Sequence, residues 1–234
     1  MKQLLKKCPP LHRLGQATLG YWKSVTGPYR LKRQSRTSPL RIVIGASGIV
    51  DDGWIGTDVE YLNLLVPSHW EHYFRKDSMD AILAEHVWEH LTPADGVRAA
   101  KQCYQYLKPG GYLRAAVPDG LHPDPQYIDR VKIGGSGIGA DDHKALYTYE
   151  TFSRVFQEAG FRVELLEYCD ADGKFHHVPW DTSKGRIHRS QRFDERNAGG
   201  QLNYTSIIID AVKDAGQLAS PTSKAVAKTA VMAN

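Results

Sequence analysis

The chain has 234 residues, of which 41% are hydrophobic and 24% charged, with a net charge of +4. That length carries one α/β domain with a full core and is short for two. The longest apolar runs fall well below the roughly 18–20 residues that span a bilayer, which excludes a membrane-embedded helical protein.

The opening Met1–Pro10 carries positive charge with no apolar run behind it, which argues against a secretory signal. Residues 1–41 hold ten Lys or Arg and no Asp or Glu, so against a total of +4 the rest of the chain balances at −6. A basic arm, residues 1–39, on an acidic body can attract phosphate, nucleic acid or an anionic membrane surface. The plainer expectation is a solvated arm folded partly back on its own domain, since no block of five like charges occurs. Within it, Leu11, Leu14 and Leu19 space the apolar side of a short helix over 11–24.

Leu40–Ile44 is a β-branched run ending in Gly45-Ala46-Ser47-Gly48, a strand and a tight turn. Trp54–Asp58 reads as a second short strand ending in an acid, and Asp80–Glu85 as a third. Only 13 residues separate Gly45 from Asp58, too few for a helix between those two strands. Thr92-Pro93-Ala94-Asp95 opens a helix: Thr as N-cap, Pro at the first helical position, Asp in the first turn. It runs to about Leu107 and stops at Lys108-Pro109-Gly110-Gly111, before a strand over Tyr112–Val117. A Gly- and Pro-rich excursion, 118–145, precedes a helix over Tyr149–Ala159, ended by Gly160. A strand over Arg162–Tyr168, a second excursion over 169–203 and a last strand over Tyr204–Val212 follow. The tail 214–234 lacks aromatics and reads as disordered. The domain therefore spans 40–213, an α/β fold whose mostly parallel sheet has helices on both faces and an antiparallel last strand at one edge. Its site is expected along the carboxyl ends of the strands.

Residues Ile42–Gly48, Gly53–Asp58, Met79-Asp80-Ala81-Ile82 through His90-Leu91, and Leu107–Leu113, followed by Asp142-His143-Lys144 and Ala159-Gly160-Phe161, recur in one order. That order resembles the class I S-adenosylmethionine-dependent methyltransferases, in particular a compact bacterial subfamily with a shortened first crossover. The resemblance covers roughly residues 40–213 and implies a Rossmann-like fold, S-adenosylmethionine as cofactor and transfer of its methyl group. Leu107-Lys108-Pro109-Gly110-Gly111 is its strongest single piece.

The roles fit. Gly45, Ala46, Ser47 and Gly48 form a turn that lets backbone approach the cofactor's methionine part. Asp58 is the expected ribose partner, with Glu60 behind it; Asp51 and Asp52 can support the methionine end. Asn63 is the weak substitute for a missing adenine-side acid. Past the third strand, Glu85 and His86 are placed beside the reacting methyl group. His86 is the preferred base, because imidazole titrates near neutrality, and Glu85 would orient it, touch the cofactor or bind acceptor hydroxyls. Glu89 and His90 would support them, and His143, at the end of a flexible lid (134–143), completes the catalytic candidates.

His86-Val87-Trp88-Glu89-His90 also matches the H-x-x-E-H zinc pattern, with His86 and His90 as ligands and Glu89 as base. The motif begins at a strand end, and Pro93 starts a new helix three residues after His90, so no metal is expected. The acceptor implied is a small polar molecule, a sugar or glycan precursor or other metabolite, rather than nucleic acid, because no basic stacking platform of aromatics is evident. A degenerate cofactor-binding scaffold is the alternative function. Three scattered cysteines, Cys8, Cys103 and Cys169, with no C-x-x-C pair, fit a reducing compartment. The cytoplasm is the expected location.

Overall fold

The computed structural model describes residues 26–215. The helix expected over 11–24 and most of the expected tail lie outside them. Seven strands form one sheet in the order β2-β1-β3-β4-β7-β5-β6. They are β1 (Arg41–Ile44), β2 (Ile55–Gly56), β3 (Met79–Glu85), β4 (Leu107–Pro118), β5 (Arg162–Cys169), β6 (Phe175–His177) and β7 (Ser206–Val212). β2, β1, β3 and β4 run parallel. β7 is antiparallel to both β4 and β5. The expected antiparallel pairing of the last strand is present, but β7 lies inside the sheet; the edge belongs to β6, a short strand within the 169–203 excursion that hairpins back on β5.

Five helices accompany the sheet among the described residues: α1 (residues 26–34), α2 (Pro67–Tyr73), α3 (Pro93–Tyr106), α4 (Pro125–Val131) and α5 (Tyr149–Gln157). α3 begins as its sequence dictates, with the Thr92 hydroxyl accepting the Asp95 amide and Pro93 inside the first turn. α5 carries a reciprocal cap, Thr148 with Thr151. Leu31 of α1 is buried in the main core, so the end of the basic arm is part of the domain rather than a solvated tether.

The strands alternate cleanly. Ile42, Ile44, Ile82, Leu113, Ala115, Ile207 and Ile209 point to one face, where they meet Leu31, Trp70 of α2, Cys103 of α3 and Phe152 and Phe156 of α5. Val43, Leu83, Ala116, Leu166 and Ile208 point to the other, where they meet Ile187, Trp54 and Trp180. Among the described residues, that second cluster holds no α-helical side chain. The cause is chain direction. Right-handed crossovers from β2 to β3, β3 to β4 and β4 to β5 move the same way across the sheet and lay their helices on one side. Of the connections among the four strands β1 to β4, only that from β1 to β2 moves the opposite way, and it is too short for a helix. Its place is taken by irregular chain from the 169–203 excursion.

That chain is anchored by polar groups. Arg114, fully buried on β4, makes a two-pronged pair with Asp210 of β7 (2.7 and 2.8 Å). Its remaining nitrogen donates to the carbonyls of Asp181 and Gly185 (2.8 and 2.7 Å), while the guanidinium lies 4.9 Å from the Trp180 ring centroid. Glu167 of β5 accepts the Trp180 indole N–H and the Gln191 amide, both at 2.8 Å.

The helix stop expected at Lys108–Gly111 already belongs to β4. Gly110 adopts φ +81° and donates its amide to the Lys213 carbonyl, and the Lys213 amide returns to Gly111. Pairing to the neighbouring strand carries this glycine stretch, with a register shift opposite Met79 and Ala81.

Candidate functional site

The sheet reverses its direction of growth at β1, and a crevice opens at the carboxyl ends of β1 and β3, where open α/β sheets bind ligands. A cavity of about 220 Å³ lies there, bounded by Gly45, Ala46 and Ser47, by Asp51 and Trp54, and by Glu85 and His86. Arg186, His188 and Arg189 of the excursion form its outer wall. Gly45 is required: its φ is +64°, and a Cβ would stand 3.0 Å from a Val87 methyl. Ser47 (φ +47°) and Gly48 (φ +90°) continue the tight turn.

Gly45, Ala46, Ser47 and Glu85 thus meet in one cavity. Gly48 shapes the turn without lining it. Asp58 is not among the residues lining the cavity. Thr57 bonds back to the Val43 carbonyl through its amide and hydroxyl (2.8 and 2.9 Å), and the chain then turns away, the Asp58 carbonyl accepting the amides of Tyr61 and Leu62. The acids on the cavity wall are Glu85 and Asp51, the latter 2.6 Å from Arg186. Asn63 serves its own turn, its side chain accepting the Leu65 amide.

Glu85 does not orient His86. One Glu85 oxygen accepts the Arg189 amide (2.8 Å) and the other the His188 amide (2.9 Å), so this strand-end carboxylate pins the outer wall. Arg186, His188 and Arg189 belong to the Arg-, His- and aromatic-rich part of the 169–203 excursion, whose composition suits recognition of a polar or anionic ligand; the structure places them on this cavity's outer wall.

His86 adopts φ +55°, a left-handed turn uncommon for a non-glycine residue. Its amide still donates to the Ala116 carbonyl (2.8 Å), so the chain leaves the sheet abruptly and enters a single turn of 3₁₀ helix, Trp88–His90. This geometry breaks the H-x-x-E-H reading: His86 and His90 do not share one helix. Instead His86 Nδ1 lies 3.0 Å from Glu89 Oε1, and His86 Nε2 lies 3.1 Å from Ser206 Oγ. The Ser206 hydroxyl donates to the Arg189 carbonyl (2.8 Å), so toward His86 it can only accept, and Nε2 carries a proton. Burial pushes the Glu89 carboxyl up, but the charge and contact of His86 outweigh it and hold Glu89 below the ordinary carboxylate range.

His86 and Arg189 also bound a second cavity of about 700 Å³. Its walls include Glu89, His90, His143 and Tyr204. His143 therefore shares a cavity with His86. The loop expected as a lid is folded against this cavity, through Ser136 to Ala140. Arg196 covers the Tyr204 ring at 3.4 Å and is clamped by Asp194 (2.5 and 2.7 Å).

The donor set suits S-adenosylmethionine. The Arg186 Nε is buried on the cavity wall and has no hydrogen-bond partner among the described residues, which fits a carboxylate. Asp51 fits hydroxyls or an ammonium, and Trp54 offers a purine an aromatic wall.

An open α/β sheet with a glycine turn at its switch point, next to a second cavity, defines the class: a Rossmann-like group-transfer fold. A family model described as a methyltransferase domain matches residues 48–166, and the chain belongs to that family, as a class I S-adenosylmethionine-dependent methyltransferase. A search of curated proteins finds no match. Among solved structures, the chain is similar to an S-adenosylmethionine-dependent methyltransferase from Archaeoglobus fulgidus: 15% identity, 81% of this chain and 94% of that one covered, TM-score 0.44. It is also similar to a possible histamine N-methyltransferase from Thermotoga maritima, with 11% identity, coverage of 86% and 96%, and TM-score 0.46. A third is the Haemonchus contortus phosphoethanolamine N-methyltransferase 2 in complex with S-adenosyl-L-methionine, with 14% identity, coverage of 80% and 51%, and TM-score 0.39. No helix among the described residues is long and apolar enough to cross a membrane.

Proposed function

We propose that the protein methylates a small polar acceptor, a sugar or glycan precursor or another metabolite, held in the larger cavity. The observation that carries this reading is that His86 stands in the wall of both cavities. A donor in one and an acceptor in the other meet at that side chain, the arrangement in-line transfer needs. Bound S-adenosylmethionine supplies an electrophilic methyl group, whose carbon bonds to the acceptor as its bond to sulfur breaks and the electron pair stays on sulfur.

The chain's own residues do the rest. The Gly45–Ser47 backbone lies against the methionine part, and Arg186 holds its carboxylate. Asp51, rather than Asp58, faces the ribose hydroxyls. Glu85 fixes the wall by its hold on the amides of His188 and Arg189. His143 and Tyr204 position the acceptor, and His86 takes the proton the acceptor loses. The basic arm, residues 1–39, is the proposed contact for an anionic surface, and the cytoplasm the proposed location.

Calorimetric titration of the full chain with S-adenosylmethionine tests the reading. Binding in the micromolar range is expected, weakened at least about tenfold (about 1.4 kcal/mol) in Gly45→Val, where a β-branched side chain meets both a forbidden φ and Val87. No binding at high micromolar ligand would sink the enzyme reading; binding without turnover on any acceptor favours a scaffold.

A further inference from the structure

Glu89, His90 and His143 form a cluster whose individual contacts the methyl-transfer reading leaves unexplained. Each offers one ligating atom, and the three atoms lie within 4.8 Å of one another. The residues come from two places in the chain: the 3₁₀ turn after β3 and the loop before α5.

Both histidines are already oriented by a partner on the same ring nitrogen. His90 Nδ1 lies 2.6 Å from Asp142 Oδ1, and His143 Nδ1 lies 2.8 Å from the Val131 carbonyl. A carbonyl only accepts, so His143 Nδ1 carries the proton; a carboxylate imposes the same on His90. Each ring is left with Nε2 as the nitrogen with an available lone pair. Imidazoles that bind metal ions are held in this way, donating the opposite N–H to a carboxylate or a carbonyl.

Glu89 supplies the second observation. It is 1% exposed, and neither of its oxygens accepts a well-aligned hydrogen bond among the described residues. His86 Nδ1 lies 3.0 Å from one of them. A carboxylate buried with its lone pairs unused is costly, and a cation at its free side removes that cost. All three side chains border the 700 Å³ cavity.

We infer that Glu89, His90 and His143 bind a divalent transition-metal ion, with the remaining coordination positions open to the acceptor cavity. Two imidazoles and one carboxylate suit zinc, iron, cobalt or nickel better than magnesium or calcium, which prefer all-oxygen sites. Three protein ligands with a position left over is the pattern of catalytic rather than structural sites. This trio differs from the H-x-x-E-H pattern: His86 is not a ligand, Glu89 is a ligand rather than a base, and His143 is brought in by the fold.

What the ion does rests on the methyl-transfer reading. An acceptor hydroxyl bound at the open position becomes more acidic, which selects an oxygen acceptor. Arg130 and Arg189 on the same cavity wall add positive charge and favour an acceptor that also carries an anionic group.

The test uses metal-stripped full-length protein titrated with zinc by calorimetry and with cobalt by visible absorption. One ion per chain is expected, with a cobalt spectrum of low coordination number. His90→Ala and His143→Ala should each weaken binding more than about tenfold. Asp142→Asn, which removes only an orienting partner, should weaken it by about 10-fold to 100-fold. His72→Ala, an exposed histidine on α2, should bind as the parent does. His143 lies on a loop and is half-buried, so its variant keeps the fold. Absence of binding to the parent chain, or binding undiminished in both His90→Ala and His143→Ala, overturns the site. Metal bound with those losses but no S-adenosylmethionine bound supports the site and sinks the methyl-transfer reading instead.

Discussion

At the scale of single residues, the chain places its unusual backbone and its unusual charges at the same spot. His86 holds a left-handed φ, and one turn later Glu89 buries a carboxylate with little to satisfy it. The sequence made His86 visible, because a histidine at a strand tip faces the ligand crevice. It could not show that Glu89 rather than Glu85 is the neighbour of His86, since that depends on the sharp turn between them. Glu89 also predicts a pH effect. Its carboxyl lies below the ordinary range, held there against burial by His86. A group depressed in the folded state adds stability that is present above its unfolded value and is lost as pH falls through the folded value. The parent chain and Glu89→Gln should therefore be compared by thermal unfolding from neutral to acidic pH. The parent's stability should fall more steeply on the acid side, with the difference between the two shrinking toward the lowest pH. Parallel curves across the whole range would show that Glu89 is neutral in the fold.

Among elements, the decisive one is missing: the helix that would join β1 to β2. Its absence was legible in the 13 residues from Gly45 to Asp58, as were β1, β3 and the Thr92-Pro93 start of α3. The consequence was not legible. Composition of 169–203 shows an irregular segment, but not that it lies across the second sheet face, because the anchors are pairs far apart in sequence. Arg114 and Asp210 are 96 residues apart, and each alone reads as an ordinary charge in a strand. α2 was missed for a different reason: seven residues with one buried apolar side chain, Trp70, carry too short a period to register. The buried pair gives a direct prediction. Asp210→Asn leaves the Arg114 guanidinium buried and half-partnered, which should cost about 3–5 kcal/mol and lower the melting temperature by on the order of 10 °C. Arg162→Ala, at an exposed pair with Glu164 and Asp214, should leave it unchanged. Equal effects from the two variants would mean that Arg114 does not hold the excursion.

For the whole molecule, the two faces of the sheet should differ in stability. One is covered by helices that bury large aromatic side chains, Trp70, Trp88, Phe152 and Phe156, in a continuous core. The other is covered by chain held through Arg114, Glu167 and Glu85 together with the smaller cluster around Ile187. Segments with few apolar contacts open at free energies well below that of global unfolding. The excursion also forms the outer wall of the cavity assigned to the cofactor, so a ligand there binds both the rigid sheet and the weaker cover. Anything that binds the assembled wall and not the opened one stabilises the closed form in proportion to its occupancy. Hydrogen exchange should accordingly show α3 and β3 as the slowest amides, with residues 178–193 faster in the free protein. Saturating S-adenosylmethionine should then slow the amides of His188 and Arg189, which rest on Glu85 (2.9 and 2.8 Å), more than those of α3. If calorimetry shows the cofactor bound while these two amides exchange as before, the excursion is not its wall, and the cofactor must lie against the Gly45–Gly48 turn alone.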